Sequence, residues 1–145
     1  MTDRLSSEIL HATTVAKDGR AVIIAGRSGS GKSDLALRLF DRGFVLVSDD
    51  QTMVRKDGNR LLASAPATIK GRLEVREIGI VEVETVDDVP VCLIVELSEA
   101  IERMPEAGLE RMMLGVAIPV VGIDAIGASA PAKVEIALDR LGRRT

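Results

Sequence analysis

The stretch GRSGSGKSDLALRLFDRGFVLVSDD, from Gly26 to Asp50, carries residue types and spacings suited to phosphate chemistry. Gly26, Gly31, Lys32 and Ser33 match the pattern G-x-x-x-x-G-K-[ST], with Arg27, Ser28, Gly29 and Ser30 filling the loop between. Glycines let the backbone curl so that N–H groups converge on phosphate oxygens. Lys32 would reach the outer phosphates, and the Ser33 hydroxyl would ligate Mg²⁺. A helix opening at the lysine adds the positive end of its dipole. Asp49 and Asp50 close the same stretch. Side chains alternate across a strand, so the two acids need not do the same work. One could hold the metal, directly or through water, and the other could accept a proton from an incoming hydroxyl.

These residues need elements to hold them. RAVIIAG, Arg20 to Gly26, is a short apolar, β-branched run closed by glycine and predicts a buried strand. Leu35 and Leu39, and Ala36 and Phe40, are spaced as one face of a helix that Gly43 stops. FVLVSDD is the next strand, ending in the two acids. QTMVRKDGNRLLAS holds a turn signal, KDGN, between two strand-like runs and predicts a hairpin. LEVREIGIVEVE has strand composition around Gly79, and PVCLIVEL is a further buried strand. SEAIERM, opened by Ser98 as a cap, predicts a short helix. LERMMLGVAIPVVGIDAI supplies two more short strands. APAKVEIALDRLGRRT reads as a C-terminal helix with Val134, Ala137, Leu138 and Leu141 on its apolar face. There is no repeat, low-complexity tract or linker, so the expectation is one α/β domain over residues 1–145.

Composition removes several classes. The chain has 145 residues and 46% apolar content, enough for a real core. It has two Phe, no Trp and no Tyr, so it lacks the aromatic faces on which base-stacking modules rely. The formal charge of −3, without a basic block, also argues against a nucleic-acid partner. Cys92 stands alone in an apolar run and reads as a buried strand residue. No leader-like segment opens the sequence, and no apolar run reaches the roughly 18–20 residues that span a bilayer. The expectation is a cytoplasmic protein with no membrane partner. Taken alone, the single histidine, His11, reads as a surface or packing residue. Glu74, Glu77, Glu82 and Glu84 read as a solvated strand face.

Taken together, LHATTV, GRSGSGKSDLALRLFDRGF, VLVSDD and LEVREIGIVEV resemble, in order, the motifs of the HPr kinase/phosphorylase family. The resemblance runs from His11 to the C-terminal helix. In the second signature Arg76 and Gly79 are in step, and Glu77 stands where the family has glycine. The resemblance implies a P-loop kinase fold of the phosphoenolpyruvate carboxykinase-like type with a mixed sheet. The KDGN hairpin agrees, because a parallel connection needs a crossover. It also implies ATP and Mg²⁺ as cofactors and a serine of an HPr-like phosphocarrier as substrate, although GTP or pyrophosphate would suit the same loop. Residue by residue, it makes His11 an active-site residue, Lys32 the phosphate-binding cation and Asp50 the first choice for the base, with Asp49 beside it. Ser33 and Glu74 become metal ligands. IERM resembles the family's Y-D-R-L and gives Arg103 a charge-stabilising role.

Two features depart from the longer family members. Their separate N-terminal domain is absent, which resembles the short form found in alphaproteobacteria and suggests a regulatory phosphotransferase system. The late basic loop tied to phosphate removal is replaced by VGIDAIGASAPAK, which has Asp124 and no arginine. Weak reverse phosphorolysis is therefore expected. The family implies a homo-oligomer, a hexamer. The alternative is a non-catalytic nucleotide sensor that binds a signalling partner such as a kinase. A small-molecule kinase ranks third, because Arg103, Arg111, Arg140, Arg143 and Arg144 are too scattered to form an arginine-rich lid.

Overall fold

The computed structural model describes residues 6–97 and 109–144. The predicted strand after the loop lysine's helix, the KDGN hairpin and the late strands all form, but the chain begins differently. Two strands, β1 (Ser7–Leu10) and β2 (Ala12–Lys17), precede the predicted first strand, now β3 (Arg20–Ala25). His11 therefore sits between two strands rather than ahead of the first. Asp18 and Gly19 turn β2 into β3 with φ of 52° and 74°. Positive φ at both central residues is the backbone of a tight hairpin turn, and Asp-Gly favours it.

After β3 come α1 (Lys32–Phe40), β4 (Val45–Ser48), and the hairpin of β5 (Thr52–Asp57) and β6 (Arg60–Ser64). A small separate hairpin, β7 (Arg72–Val75) and β8 (Gly79–Glu82), follows. Then come β9 (Val89–Leu97), β10 (Glu110–Met113), β11 (Val116–Ile123) and α2 (Ala130–Leu141). The predicted helix at SEAIERM, with its Ser98 cap and Arg103, lies outside the described residues.

The main sheet is mixed, in the order β1-β5-β6-β9-β3-β2-β4, with β11 also beside β9 and β10 beside β11. β9 runs parallel to β3 and β11, and the other pairs are antiparallel. A register shift in the β3–β9 pair takes Ala21 to Val91 but Val22 to Leu93, leaving Cys92 as an extra residue in β9. This bulge falls where β9 changes partner from β6, through Pro90, to β11, from Ile94 onward.

The centre of the sheet is buried on both faces. Val22 and Ile24 of β3 pack with Leu35, Leu39, Val134 and Leu138 of the two helices. Ala21 and Ile23 point the other way, against Val54, Leu61, Ile94 and Ile118. Leu141, expected on the apolar face of α2, is instead exposed as the last residue of the helix, after which Arg143 N donates to Cys92 O of β9 at 2.7 Å.

Glu135 ties α2 to the rest. Its carboxylate accepts hydrogen bonds from Lys17 Nζ and, at 2.7 Å, from Arg42 Nη1. The Lys17 bond first, then the Arg42 bond, holds its carboxyl below the usual glutamate range. A depressed folded-state value contributes stability above the unfolded pKa of about 4.3, and that stability is lost as pH falls through the folded value. Glu135→Gln should therefore melt below the parent at neutral pH and approach it under acid conditions. Thermal unfolding from pH 7 to 3 checks this, and a gap of constant size would contradict it. The three side chains are partly exposed, so added salt should narrow the gap.

Candidate active site

The P-loop forms between β3 and α1, where the sequence places it. Ser30 N donates to Arg27 O at 3.0 Å and closes the loop, and Leu35 N donates to Gly31 O at 2.9 Å to start the helix. Gly31 has φ of 98°, a conformation that side chains with Cβ rarely adopt. A Cβ on Gly26 would lie 2.5 Å from Ser30 Oγ, which would have to rotate away, and 3.3 Å from Leu97 Cβ, so the loop is tight around the pattern's first glycine. Lys32 is buried, with Nζ donating to Gly26 O and Arg27 O at 2.9 Å each. Its ammonium thus lies inside the curve of the loop, where an anion's oxygens can replace the two carbonyls.

The two acids, expected to end the strand, lie just past the end of β4 and differ in exposure because the chain turns at Asp50. Asp49 is 8% exposed. Its Oδ1 accepts from Ser33 Oγ at 2.6 Å and from Thr13 Oγ1 at 3.0 Å. Its Oδ2 accepts from the Glu74 backbone N–H at 3.1 Å. Asp50 has a side chain that is 66% exposed and lies 2.8 Å from His11 Nε2, itself 55% exposed. The pair meets at the surface, with nothing covering it among the described residues. Asp50 also has φ of 68°, and Gln51 N donates across it to Asp49 O at 2.7 Å. That three-residue bond with positive φ is the rarer, strained form of the γ-turn.

Glu74 lies beside the acids through its backbone, while its side chain points to solvent and that of Leu73 enters the core. Among the described residues, no group of three or more His, Cys, Asp or Glu is arranged to hold a metal ion. What the site offers is a pair of hard oxygens, Ser33 Oγ and Asp49. The Ser33 hydroxyl gives its proton to Asp49, so its oxygen lone pairs stay available. Mg²⁺ is commonly held by one or two such protein oxygens plus phosphates and water, so the residues fit it without a third carboxylate. In the β7–β8 turn, Ile78 N donates to Val75 O at 3.0 Å and Glu77 takes φ of 74°. That positive φ is where glycine fits most easily, so Glu77 occupies a strained place rather than a neutral one.

The loop after β11 closes the other side. Ala125 lies 3.5 Å from where a Cβ of Gly31 would stand. Arg38 of α1 pins this loop by donating to Ala125 O and, at 3.3 Å, to Gly127 O. Asp124 accepts from Ile126 N at 3.0 Å and so braces its own turn. A separate cleft of about 340 Å³, lined by Lys17, Asp18, Val86 and Asp88 among others, lies at the opposite end of β3 and shares no residue with this site.

A family model described as the HPr Serine kinase C-terminal domain matches residues 3–138. The chain belongs to that family. Its relatives agree. HPr kinase/phosphorylase of Exiguobacterium sp. is 47% identical over 77 residues, which cover 52% of this chain and 25% of that protein. The enzyme of the same name from Limosilactobacillus reuteri is 34% identical over 127 residues, covering 79% of this chain and 40% of that one. The chain thus spans well under half the length of these curated relatives. The solved HPr(Ser) kinase/phosphatase of Coxiella burnetii superposes with a TM-score of 0.79 at 28% identity, covering 91% of this chain and 94% of that one. The mixed sheet of the HPr kinase domain is therefore the fold here. No described helix is long and apolar enough to cross a membrane.

Sequence reasoning missed Thr13 and the backbone of Glu74 as partners of Asp49. Thr13 had no local signal, since a threonine inside a strand reads as ordinary β composition.

Proposed function

We propose that this chain is an ATP- and Mg²⁺-dependent protein-serine kinase acting on an HPr-like phosphocarrier. The observation that carries this reading is the 2.6 Å contact between Ser33 and Asp49 beside the open His11–Asp50 pair. A phosphate loop, a metal-side acid and an accessible proton acceptor stand together at one end of the sheet. An acceptor on an open surface suits a hydroxyl carried by a protein better than a small molecule, which needs enclosure. Bound ATP and Mg²⁺ supply the transferable phosphoryl group and neutralise its charge. Lys32 binds the outer phosphate oxygens. Ser33 and Asp49 hold the metal side, with Glu74 able to join only by turning its exposed side chain inward. Asp50 takes the serine proton, and His11 orients it. Arg103 keeps the charge-stabilising role that the family pattern gives it.

The type of fold we assign is the phosphoenolpyruvate carboxykinase-like P-loop kinase. We place the protein in the cytoplasm, with residues 1–145 forming one catalytic domain that assembles through α2, where Ile136 and Leu141 are exposed. Incubation with Mg·ATP and a panel of HPr-type carriers, followed by phosphoserine detection, tests the activity. Tight nucleotide binding with no phosphoserine on any carrier would favour the nucleotide sensor instead.

The reverse reaction should be weak. In it, a phosphate oxygen attacks the phosphoserine phosphorus, the P–O bond to serine breaks, pyrophosphate forms and the serine oxygen regains a proton. Two anions must approach, so cationic donors matter more than in the forward direction. Residues 124–129 supply no cation, and Arg38 is spent on carbonyls of this loop. Phosphorolysis should run on the order of 10² slower than the forward reaction, by analogy with removing one charge-stabilising donor. Pyrophosphate release from serine-phosphorylated carrier in millimolar phosphate measures it, and equal rates would overturn the expectation.

A further inference from the structure

We propose that Thr13 is a positioning residue that fixes the two acids relative to each other, and that transfer depends on its hydroxyl. This rests on the kinase reading above. Thr13 is fully buried in β2, one strand over from β4. Its Oγ1 donates to Asp49 Oδ1 at 3.0 Å and accepts from the Asp50 backbone N–H at 3.1 Å. One hydroxyl therefore uses its single proton on the metal-side acid and a lone pair on the backbone of the proton acceptor. No other side chain among the described residues bonds to both acids.

The geometry makes this bridge consequential. Asp50 is held in a strained γ-turn at φ of 68°, and such a conformation persists only where its surroundings enforce it. The bond from its N–H to Thr13 is one such restraint, and the Asp49 carbonyl bond to Gln51 is another. A β-branched side chain in a strand is stiff at χ1, so the oxygen is aimed at both partners in advance. The next rung of β2 is tied separately: Thr14 Oγ1 lies 2.9 Å from Thr52 Oγ1, which donates to Ala12 O at 2.9 Å. That second tie anchors the strand without Thr13. Loss of the Thr13 hydroxyl should thus loosen the acids more than the fold.

The test compares Thr13→Val, Thr13→Ser and Thr13→Ala with Asp50→Asn in a carrier phosphorylation assay, alongside fluorescent ATP binding and thermal melting. Thr13→Val keeps the shape and removes the hydroxyl. It should lower kcat at least tenfold, because an ångström-scale misplacement of a reacting group costs up to about 10² in rate. The dissociation constant for ATP and the KM for carrier should stay within about threefold. If Thr13→Val does not fold, the Ser and Ala variants decide: both lose the methyl, and only Ser keeps the oxygen, so Ser should exceed Ala in kcat at least tenfold. Equal kcat for Ser and Ala, or a parental kcat for Thr13→Val, would overturn the proposal while an inactive Asp50→Asn left the kinase reading intact. An active Asp50→Asn would assign the base elsewhere and overturn the Thr13 proposal alone, whereas a parent chain that phosphorylates no carrier would overturn both.

Discussion

Asp50→Asn should lose phosphoryl transfer while still binding nucleotide. The amide keeps the size of the side chain and can still meet His11, but it cannot accept the serine proton. Removing a positioned general base lowers rates by about 10²–10⁴. Nucleotide binding should survive, because Asp50 touches neither the loop nor Ser33, and its side chain faces solvent beside His11. Asp49→Asn should fail differently. Asp49 accepts two hydroxyl protons and one backbone N–H, so an amide nitrogen placed there would face donors. The expected result is a raised Mg²⁺ requirement, which Asp50→Asn should not show. Single-turnover phosphorylation and Mg²⁺ titration of both variants separate the roles. Loss of nucleotide binding in Asp50→Asn, or normal turnover in it, would assign the base elsewhere.

Lys32→Ala should reduce transfer by about 10²–10³ and weaken ATP binding as well. Both effects are expected because the ammonium is buried in the loop and aimed at the place where phosphate charge concentrates. In the low-polarity interior of the loop a fixed charge is worth more than in water. Lys32 also bonds to Gly26 O and Arg27 O, so its loss frees two carbonyls that would face an anion. Lys32→Arg should not rescue: the guanidinium is larger and planar, and Lys32 is buried with its ammonium held by the Gly26 and Arg27 carbonyls at 2.9 Å each. Steady-state kinetics with binding measured separately check this. Near-normal turnover in Lys32→Ala would remove phosphoryl transfer from this site.

The parts of the site legible in the sequence are those with local causes. The P-loop and the start of α1 follow from glycine placement and helical spacing, whereas the contrast between Asp49 and Asp50 comes from a turn at Asp50 that strand alternation did not foretell. The β5–β6 hairpin follows from its turn residues. The same Asp-Gly signal stood at Asp18-Gly19 and marked β2 equally well, but ATTVAK is buried on both faces and shows no alternation to attract notice. What remained hidden is long-range pairing. Asp49 is held from Thr13 and from the backbone of Glu74, and neither separation leaves a pattern in composition. Glu74 shows the same limit: its residue type suggested a ligand by resemblance and a solvated face by alternation. Its side chain is indeed exposed, and its backbone takes part in the site. Leu141 matched helical periodicity yet lies outside the core, since periodicity cannot tell how far the packed face of a terminal helix extends.

The most direct measurement is rapid-quench transfer from γ-labelled ATP, bound to the protein with Mg²⁺, to an HPr-like carrier added in excess. The account predicts that label leaves the nucleotide in a single phase and is recovered on one serine of the carrier, stoichiometric with bound ATP. With Asp50→Asn it should stay on the nucleotide. Label that remains on ATP for the parent chain, or is released as free phosphate equally well without carrier, would contradict it.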